Sequence, residues 1–376
     1  MAIKASGGNP PQNSLSFSEI EAEFGQNNSR SLGDYRMNNL NIGALTEVSL
    51  SRDGCGINAN SDIPVDNQEI KFSDFYSAKQ NIILDFHTKN QNRVNAKNDK
   101  YNASSPSGNY IVVGSPGNVK PSTTSGKKVI IHVTKVIGSE KPATVAAMSK
   151  VALNTGAWNA GTELLVEVAG GTVIGAGGNG GKGQKNNNGL PGGNGSSGLG
   201  VAYNGTKIQT SNGGLIACGF GGGGAGGGAR TKAEGGAWGG GRGPTVNIAG
   251  SGGGGGQGAP GGAGGNAPGL AANGTAGDHE QAGEGGVGIS TQSCGSKGCA
   301  VIIGGAGGEG GHVGDTSADK GGNGQLGGGP HEDPNTAGGA VGGSNGSAIR
   351  KGGPSINFTL IGSPNIVVST NNNGIS

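Results

Sequence analysis

The sequence has 376 residues, a formal net charge of +2 and 13% charged residues. That charge balance, without a basic stripe along the chain, does not favour nucleic-acid binding. No apolar run approaches the ~20 residues of a membrane helix, so we do not expect membrane insertion. Glycine is the exceptional residue, because 73 of the 87 glycines lie in residues 170–376.

The N-terminal stretch MAIKASGGNPPQ lacks the apolar middle of a secretion signal. We therefore expect a protein that is made and kept in a cytoplasm, or released from it by lysis. The four cysteines, Cys55, Cys218, Cys294 and Cys299, fit neither a disulfide framework nor a four-ligand zinc site. We predict free thiols, with a disulfide inside CGSKGC as the alternative, and we expect no metal and no cofactor.

Short helices are predicted near the N-terminus. In LSFSEIEAEFG, Ser16 is the predicted N-cap, Glu19 its capping-box partner and Gly25 the stop. Ile20 and Phe24 then lie four residues apart on one face of this helix. The pattern predicts a short amphipathic helix.

Two further single-turn elements are predicted, at SLGDYR (31–36) and FSDFYSA (72–78), and they carry Tyr35, Phe75 and Tyr76. The order of SFSEIEAEFG, SLGDYR and IKFSDFYSA resembles the small N-terminal modules of bacteriophage tail and fibre proteins. The resemblance implies that residues 1–80 are a virion-docking module that binds other tail or fibre proteins. The candidate docking residues are Ile20, Phe24, Tyr35, Phe75 and Tyr76, and the alternative for each is a place in a small local core.

The middle of the chain has a different pattern. Residues 81–108 are polar and are predicted to be a linker. Within residues 109–168, KKVIIHVTKVIG alternates apolar and polar positions, and ELLVEVAG is a second candidate strand. We predict a compact β-rich domain at 109–168, parts of which pack on the residues that follow.

The second half repeats a short apolar strand followed by a glycine run, as in GGTVIGAGGNGGKG, GGLIACGFGGGGAGG, PTVNIAGSGGGGGQG and CAVIIGGAGGEGG. Within the runs many glycines fall three apart, as from Gly252 through Gly264. A period of three is typical of extended left-handed helices that have three residues per turn and no internal hydrogen bonds. Glycine edges would let such helices hydrogen-bond to each other. We predict a mostly β and irregular fold in which residues 169–376 form a bundle of polyglycine II helices.

The glycine runs have four alternative explanations. Phosphate cradling is dismissed, because GxGxxG matches arise here from composition alone and the sequence has no GxxxxGK[ST] motif. Collagen needs an unbroken triplet pattern rich in proline, which is absent here. Calcium-binding nonapeptide repeats need aspartate where this chain has residues such as Lys182 and Gln257. A flexible linker is the strongest alternative, because glycine runs lose conformational entropy when they become ordered. The interleaved apolar strands TVIG, LIAC, VNIAG and AVIIGG argue against it, because a linker does not need them.

The strand-plus-glycine unit over residues 165–376 resembles the glycine-rich adhesins at the fibre tips of T-even phages. The resemblance implies stacked layers of polyglycine helices and loops at one end that contact a bacterial receptor, either an outer-membrane protein or lipopolysaccharide. It also implies a place in the virion tail and synthesis in the host cytoplasm. The N-terminal half departs from those adhesins and leaves the mode of attachment open.

Recognition should come from the segments that join the glycine runs, because glycine offers no side chain. These segments are 185–191, 201–212, 229–245, 275–284, 291–299, 315–320 and 330–337. We predict receptor-binding roles for Tyr203, Arg230, Trp238 and Arg242, because aromatic rings give rigid contact area and arginine pairs with phosphates or carboxylates. For Trp238 the alternative is a hydrophobic plug at the end of the bundle.

Nothing in the sequence predicts catalysis. His279 and His331 are predicted to be solvated loop histidines, and no arrangement of nucleophile, base and acid stands out. We therefore expect a binding protein and not an enzyme. Two other hypotheses are a purely structural tail or capsid-fibre component and a polyglycine-helix ice-binding protein.

Overall fold

The computed structural model describes residues 15–24, 32, 69–75, 81–86, 91–92, 94–96, 112–113, 124–139, 150–235, 241, 243–329 and 331–367. As predicted, these residues are mostly β, with a helix α1 (Phe17–Phe24) and a 3-10 helix (Phe72–Phe75). Within those ranges, the helices are all too short to cross a membrane. The strands are β1 (Asn81–Phe86), β2 (Gln91–Asn92), β3 (Val94–Asn95), β4 (Val112–Val113), β5 (Lys128–Val133), β6 (Val136–Gly138), β7 (Leu153–Asn154), β8 (Glu163–Ala169), β9 (Thr172–Ile174), β10 (Leu199–Val201), β11 (Thr206–Ser211), β12 (Leu215–Ala217), β13 (Ala229–Ala233), β14 (Val246–Ile248), β15 (Ser290–Gly295), β16 (Gly298–Ile303), β17 (Gln325–Leu326), β18 (His331–Thr336), β19 (Ile349–Lys351), β20 (Phe358–Leu360) and β21 (Ile366–Val367).

Helix α1 begins at the predicted capping box. The Ser16 N–H donates to the Glu19 carboxylate at 2.8 Å, and the Glu19 N–H donates to the Ser16 hydroxyl at 3.3 Å. These bonds satisfy N–H groups that the first turn of a helix leaves without partners. The Phe17 ring meets the Phe72 ring of the 3-10 helix edge to face, with centroids 6.4 Å apart. The two predicted short helices therefore contact each other.

The predicted docking residues divide into three groups. Ile20 and Phe75 are fully buried, as expected for a local core. Phe24 is the last residue of α1. Tyr35 and Tyr76 lie outside the described residues. The docking role of these residues stays a prediction.

Three parallel sheets form a β-helix, because successive strands of the chain visit the three sheets in turn. The first sheet contains β1, β5, β8, β11 and β20; the second contains β2, β6, β9, β12 and β21; the third contains β3, β7, β10 and β19. The short strand β4 pairs antiparallel with β1 at the edge of the first sheet. Each coil of the chain therefore adds one strand to each face.

Apolar side chains stack in register inside this β-helix. Leu84, Ile131, Val166 and Ile208 occupy the same position on four successive strands, and all four are fully buried. Parallel strands that are buried on both faces carry near-continuous apolar runs, which explains KVIIHV in β5 and ELLVEVA in β8. The stack is the main hydrophobic core of the described chain.

Two predicted boundaries need correction. Residues 81–86, which we predicted to be part of a linker, form β1 and contribute Ile82, Leu84 and Phe86 to the core. The polar composition of 81–108 as a whole concealed this short apolar strand. The predicted division between 168 and 169 falls inside β8, and strands from both sides of it share all three sheets. The β-helix therefore continues into the glycine-rich half of the sequence.

The glycine runs form ten segments that lie side by side, almost entirely outside helices and strands. In chain order, segments 1 to 10 are residues 175–183, 189–198, 218–228, 249–258, 260–266, 271–278, 281–289, 304–312, 316–324 and 337–348. Their backbone N–H groups donate to carbonyl groups of neighbouring segments at about 2.7–3.4 Å. The segments are inserted between the second and third faces of the β-helix, where β9 leads into segment 1 and β12 leads into segment 3.

Segment 3 shows the order of this packing most clearly. The N–H groups of residues 222–224 donate to segments 2, 4 and 9, in that order, and those of residues 225–227 repeat the order. Carbonyl groups of the same segment accept from segments 1, 8 and 10, again with a period of three. Segment 3 therefore bonds to six neighbours.

Segment 4 also bonds to six neighbours, namely segments 1, 3, 5, 6, 7 and 8. The other eight segments surround these two. All the contacts fit three hexagonally packed layers: segments 2, 1 and 5; segments 10, 3, 4 and 6; and segments 9, 8 and 7. The flexible-linker alternative is wrong for these residues, because the backbone of segments 3 and 4 is buried and hydrogen-bonded.

Asparagine side chains complete the hydrogen bonding of the bundle. Six of them accept a backbone N–H from another part of the bundle at 2.7–2.9 Å. The donors and acceptors are Ala263 to Asn179, Gly338 to Asn188, Ser344 to Asn194, Ala267 to Asn273, Gly339 to Asn323 and Gly221 to Asn345. A carboxamide oxygen thus takes the place of a neighbouring carbonyl.

The segments alternate in direction, so their connections lie at two ends of the bundle. The near end adjoins the β-helix and contains the turns at 258–260, 278–281 and 312–316. Buried Gln257 ties two of these turns together, because its amide donates to the His279 carbonyl at 3.0 Å and accepts from the Val313 N–H at 2.9 Å. The far end contains the described residues of five connections, namely 184–188, 229–248, 267–270, 290–303 and 325–336.

The near-end turn at Asp278 predicts a dependence of stability on pH. The Glu280 and Gln281 N–H groups each donate to the Asp278 carboxylate at 2.8 Å. These bonds, and to a smaller extent the neighbouring His279, hold the pKa of Asp278 below its ordinary value of 3.8. A carboxyl group whose pKa is lowered by folding stabilises the fold above its unfolded pKa, and this contribution disappears as the pH falls through the folded pKa.

We therefore expect the melting temperature of Asp278→Asn to fall less than that of the wild type between about pH 5 and about pH 2. Thermal unfolding followed by circular dichroism measures this difference. Glu280→Gln makes the same change of charge two residues away and serves as the control. An equal loss of melting temperature in Asp278→Asn and the wild type would contradict the assignment.

Candidate functional site

The far end of the bundle carries two small antiparallel sheets. One has the strand order β14-β13-β18, and the other has the order β15-β16-β17. The six strands lie in pairs in three connections between glycine segments, so the frame of the bundle fixes where each connection begins and ends. The far end is consequently the part of the bundle where side chains are concentrated.

The two sheets pack on a small apolar cluster. Ala229 of β13, Ile248 of β14 and Ile302 of β16 are buried together, and Val246 and Ile289 pack against them. The alternating burial along β13 places Ala229, Thr231 and Ala233 inside. The same alternation directs Arg230 to the exposed face, opposite Asn247 of β14 and Asn335 of β18.

Polar contacts join the two sheets as well. The hydroxyl of buried Ser293 donates to the Pro244 carbonyl at 2.7 Å and accepts from the Ala233 N–H at 3.3 Å. At the rim, the Lys297 ammonium lies 3.1 Å from the Glu234 carboxylate. Exposed ion pairs contribute little stability, so this pair orients side chains more than it holds the sheets together.

His331 is held at the start of β18. Its Nε2 lies 2.9 Å from the Gly327 carbonyl, and its Nδ1 lies 3.2 Å from the Thr231 hydroxyl. A carbonyl can only accept, so the geometry assigns the Nε2 proton to this bond. His331 is therefore partly buried and hydrogen-bonded, which differs from the solvated loop histidine that we predicted. His279 is exposed, as predicted, and lies at the near end.

No group of three or more metal-ligating side chains occurs in the described ranges.

The exposed side chains of the far end combine positive charge with isolated leucines. Lys185, Arg230 and Lys297 are exposed. Leu270, at the turn between segments 5 and 6, is 89% exposed, and Leu326 of β17 is 40% exposed. Single exposed apolar side chains are common on protein surfaces, and each offers some apolar contact area to a partner. The arrangement suits the recognition of a partner that offers anionic and apolar groups.

The prediction of free thiols is wrong for one pair of cysteines. Cys294 of β15 and Cys299 of β16 are cross-strand neighbours and form a disulfide at the tip of their hairpin. The spacing within CGSKGC permits this bond because the two-residue turn 296–297 brings the strands side by side. Cys218 is buried in segment 3, and Cys55 lies outside the described residues.

The predicted receptor-binding residues are not all brought together. Arg230 is exposed at the far end. Tyr203 lies between β10 and β11 of the β-helix, where its ring packs on the main core. Its hydroxyl donates to the Asn159 and Thr162 carbonyls at 3.0 and 3.1 Å, and its receptor-binding role stays a prediction. Trp238 and Arg242 lie outside the described residues, in the connection between β13 and β14.

Four of the seven predicted joining segments belong to the far end, namely 185–191, 229–245, 291–299 and 330–337. The joining segments 275–284 and 315–320 lie at the near end, and the joining segment 201–212 belongs to the β-helix. Sequence reasoning missed the turn at 267–270. The dipeptide Pro268–Gly269 was the available sequence signal for a turn, and Gly269 has a positive φ of 73° in the structure.

No protein-family model and no curated protein matches the sequence. One solved structure is similar: the crystal structure of the gp37-gp38 adhesin tip complex of the bacteriophage S16 long tail fiber. The identity is 19% and the TM-score is 0.42, over 95% of this chain and 98% of that chain.

Proposed function

We propose that this chain is a phage tail adhesin, in which a bundle of polyglycine II helices holds a receptor-binding surface at its far end. The observation that carries the proposal is the convergence of five connections on one end of a hydrogen-bonded frame, with exposed Arg230, Lys297 and Leu270 among them. The period of three in the hydrogen bonds of segment 3 supports the polyglycine II geometry.

The physical advantage of such a frame lies in the entropy of binding. A flexible loop loses conformational freedom when it binds, and that loss weakens the affinity. Here each far-end connection is anchored at both ends by glycine segments that are bonded to several neighbours. Little freedom remains to be lost when a receptor is bound. Glycine can therefore be abundant in an adhesin although it offers no side chain to the receptor, because its role is to build the frame.

The chemistry of the far end supports a receptor on the surface of a bacterium. Arginine and lysine pair with the phosphates of lipopolysaccharide or with the carboxylates of an outer-membrane protein. Leu270 and Leu326 would contact apolar groups of such a protein. Trp238 and Arg242 belong to the same proposal on the strength of the sequence alone. We propose binding without catalysis.

The N-terminal helices support attachment to other tail proteins. Helix α1 and the 3-10 helix bury Ile20 and Phe75 but leave Phe72 41% exposed beside Phe17. An aromatic pair that is partly exposed offers contact area to a partner protein. The chain would thus be a virion component that is synthesised in the host cytoplasm.

Cell binding tests the proposal. We expect the purified full chain, labelled with a fluorophore, to coat susceptible strains in a panel of Gram-negative bacteria and to block adsorption of the corresponding phage. Bovine serum albumin with the same label is the control for nonspecific adhesion. If the chain coats no strain that its phage infects, and leaves adsorption unchanged, then the chain is a structural tail component and the adhesin proposal fails.

A further inference from the structure

The β15–β16 hairpin closes at its tip with an exposed disulfide. Cys294 and Cys299 are paired across the strands, and both side chains are exposed. The bond encloses only residues 295–298, so it adds little to the stability of the whole chain. Its effect is local, at the rim of the far end.

The disulfide-closed tip contacts described residues of the connection between β13 and β14. The Ser296 N–H donates to the Gly241 carbonyl at 3.2 Å, and Lys297 pairs with Glu234 at 3.1 Å. Gly243 approaches the backbone of Cys294 so closely that a methyl group on it would lie 2.9 Å from the Cys294 carbonyl oxygen. The conformation of the hairpin tip thereby sets the positions of residues 234, 241 and 243.

We propose that the Cys294–Cys299 pair is a redox switch that completes the far-end surface after the protein leaves the reducing cytoplasm. This inference rests on the proposed function, which places synthesis in the host cytoplasm and binding outside the cell. Reducing cytoplasms keep accessible thiols reduced, whereas extracellular conditions allow disulfides to persist. Both cysteine residues are exposed, so reductants and oxidants in solution can reach this bond.

The chemical step is the oxidation of two thiols. Cys294 and Cys299 each lose a proton and one electron, an S–S bond forms, and dissolved molecular oxygen takes up the two electrons and two protons as hydrogen peroxide. In a test tube, oxidised glutathione performs the same oxidation and is reduced to two molecules of glutathione. The bond then fixes the register of residues 294–299 and, through the contacts above, the positions of Gly241 and Gly243.

Thiol trapping tests the timing. The full chain, expressed in a bacterial cytoplasm, is lysed without oxygen in the presence of N-ethylmaleimide and analysed by peptide mass spectrometry. We expect alkylated Cys294 and Cys299 in the trapped sample, and a disulfide between them after exposure to air or oxidised glutathione. A disulfide that is already complete in the trapped sample would overturn the proposal.

Amide hydrogen exchange tests the structural effect without reference to any receptor. We expect reduction to accelerate exchange in residues 290–299 and 241–247 by about tenfold or more, and reoxidation to restore the slow rates. The double variant Cys294→Ser/Cys299→Ser should exchange fast from the start and should not respond to reductant, which controls for effects elsewhere. Equal exchange in oxidised and reduced wild type would overturn the switch.

Cell binding connects the switch to function. On a strain that the oxidised chain coats, the reduced chain and the double serine variant should bind at least about tenfold more weakly, because a disordered rim costs binding free energy. Equal binding in both redox states would overturn the regulatory role. If even the oxidised chain coats no strain, the adhesin proposal fails, while trapping and exchange still decide whether the redox change occurs.

Discussion

Gly224→Ala is expected to destabilise the bundle by about 3 kcal/mol or more, since an added methyl group has no space at the centre of the frame. A Cβ at Gly224 would overlap the carbonyl oxygen of Ala340 in segment 10, with the Val341 carbonyl oxygen 2.7 Å away. Both obstacles are backbone atoms of a segment that is itself bonded to segments 2, 3 and 9. Whole segments must therefore move apart to remove this overlap, and that movement breaks several hydrogen bonds at once.

The measurement is thermal unfolding of the full chain followed by circular dichroism. For a folded unit of about 200 residues, the expected loss lowers the melting temperature by roughly 6–12 °C. Gly353→Ala is the matched control, because no atom lies within 4 Å of the added Cβ and the glycine has no positive φ. A melting temperature for Gly224→Ala that matches the control would mean that the segments are packed loosely, against the hydrogen bonding described above.

The order of the glycine-rich half was predictable from the sequence, but the arrangement of its segments was not. The three-residue spacing, together with apolar strands between the runs, predicted that these residues are ordered, and the packed segments agree with that expectation. Which segment lies beside which was not predictable. Nearly identical glycine runs carry no side-chain information that distinguishes one neighbour from another. The exceptions are single residues such as Phe220, which is buried, and Asn345, whose side chain accepts the Gly221 N–H.

The β-helix was missed for a different reason. Individual strands such as β5 and β8 were visible as apolar patterns. Their relation was concealed because successive coils contain insertions of very different length between the second and third faces. The largest insertion, between β12 and β19, holds eight of the ten glycine segments. The repeat of β-helix coils is hard to recognise in the sequence because most of the residues between its strands belong to the glycine bundle.

The site was only partly predictable for a related reason. Composition identified the joining segments as the source of side chains. Whether a joining segment lies at the near or the far end depends on the direction of the glycine run before it, which leads either away from the β-helix or towards it. Tyr203 illustrates the problem, because its segment joins two coils of the β-helix and not two glycine runs. Arg230 comes two residues after the end of segment 3, and segment 3 leads away from β12. The position of Arg230 at the far end could therefore be derived once the alternation of direction was known.

Reversing the charge of Arg230 tests the far-end surface directly. We expect Arg230→Glu to weaken binding of the full chain to a susceptible strain by about 30-fold, corresponding to about 2 kcal/mol for an arginine at the centre of an interface. The residue is exposed between buried neighbours on β13, so the substitution should change the melting temperature little. Binding is measured as fluorescence of the coated cells over a range of protein concentrations.

Two controls give this experiment its meaning. Lys320→Glu makes the same change of charge on an exposed residue of segment 9, away from the far end, and should bind as the wild type does. Increasing sodium chloride should weaken the wild type more than Arg230→Glu, because added salt screens the attraction that the variant has lost. If both variants lose binding equally, the attraction depends on net charge and not on a located surface. If neither loses binding, recognition lies outside the exposed face of β13.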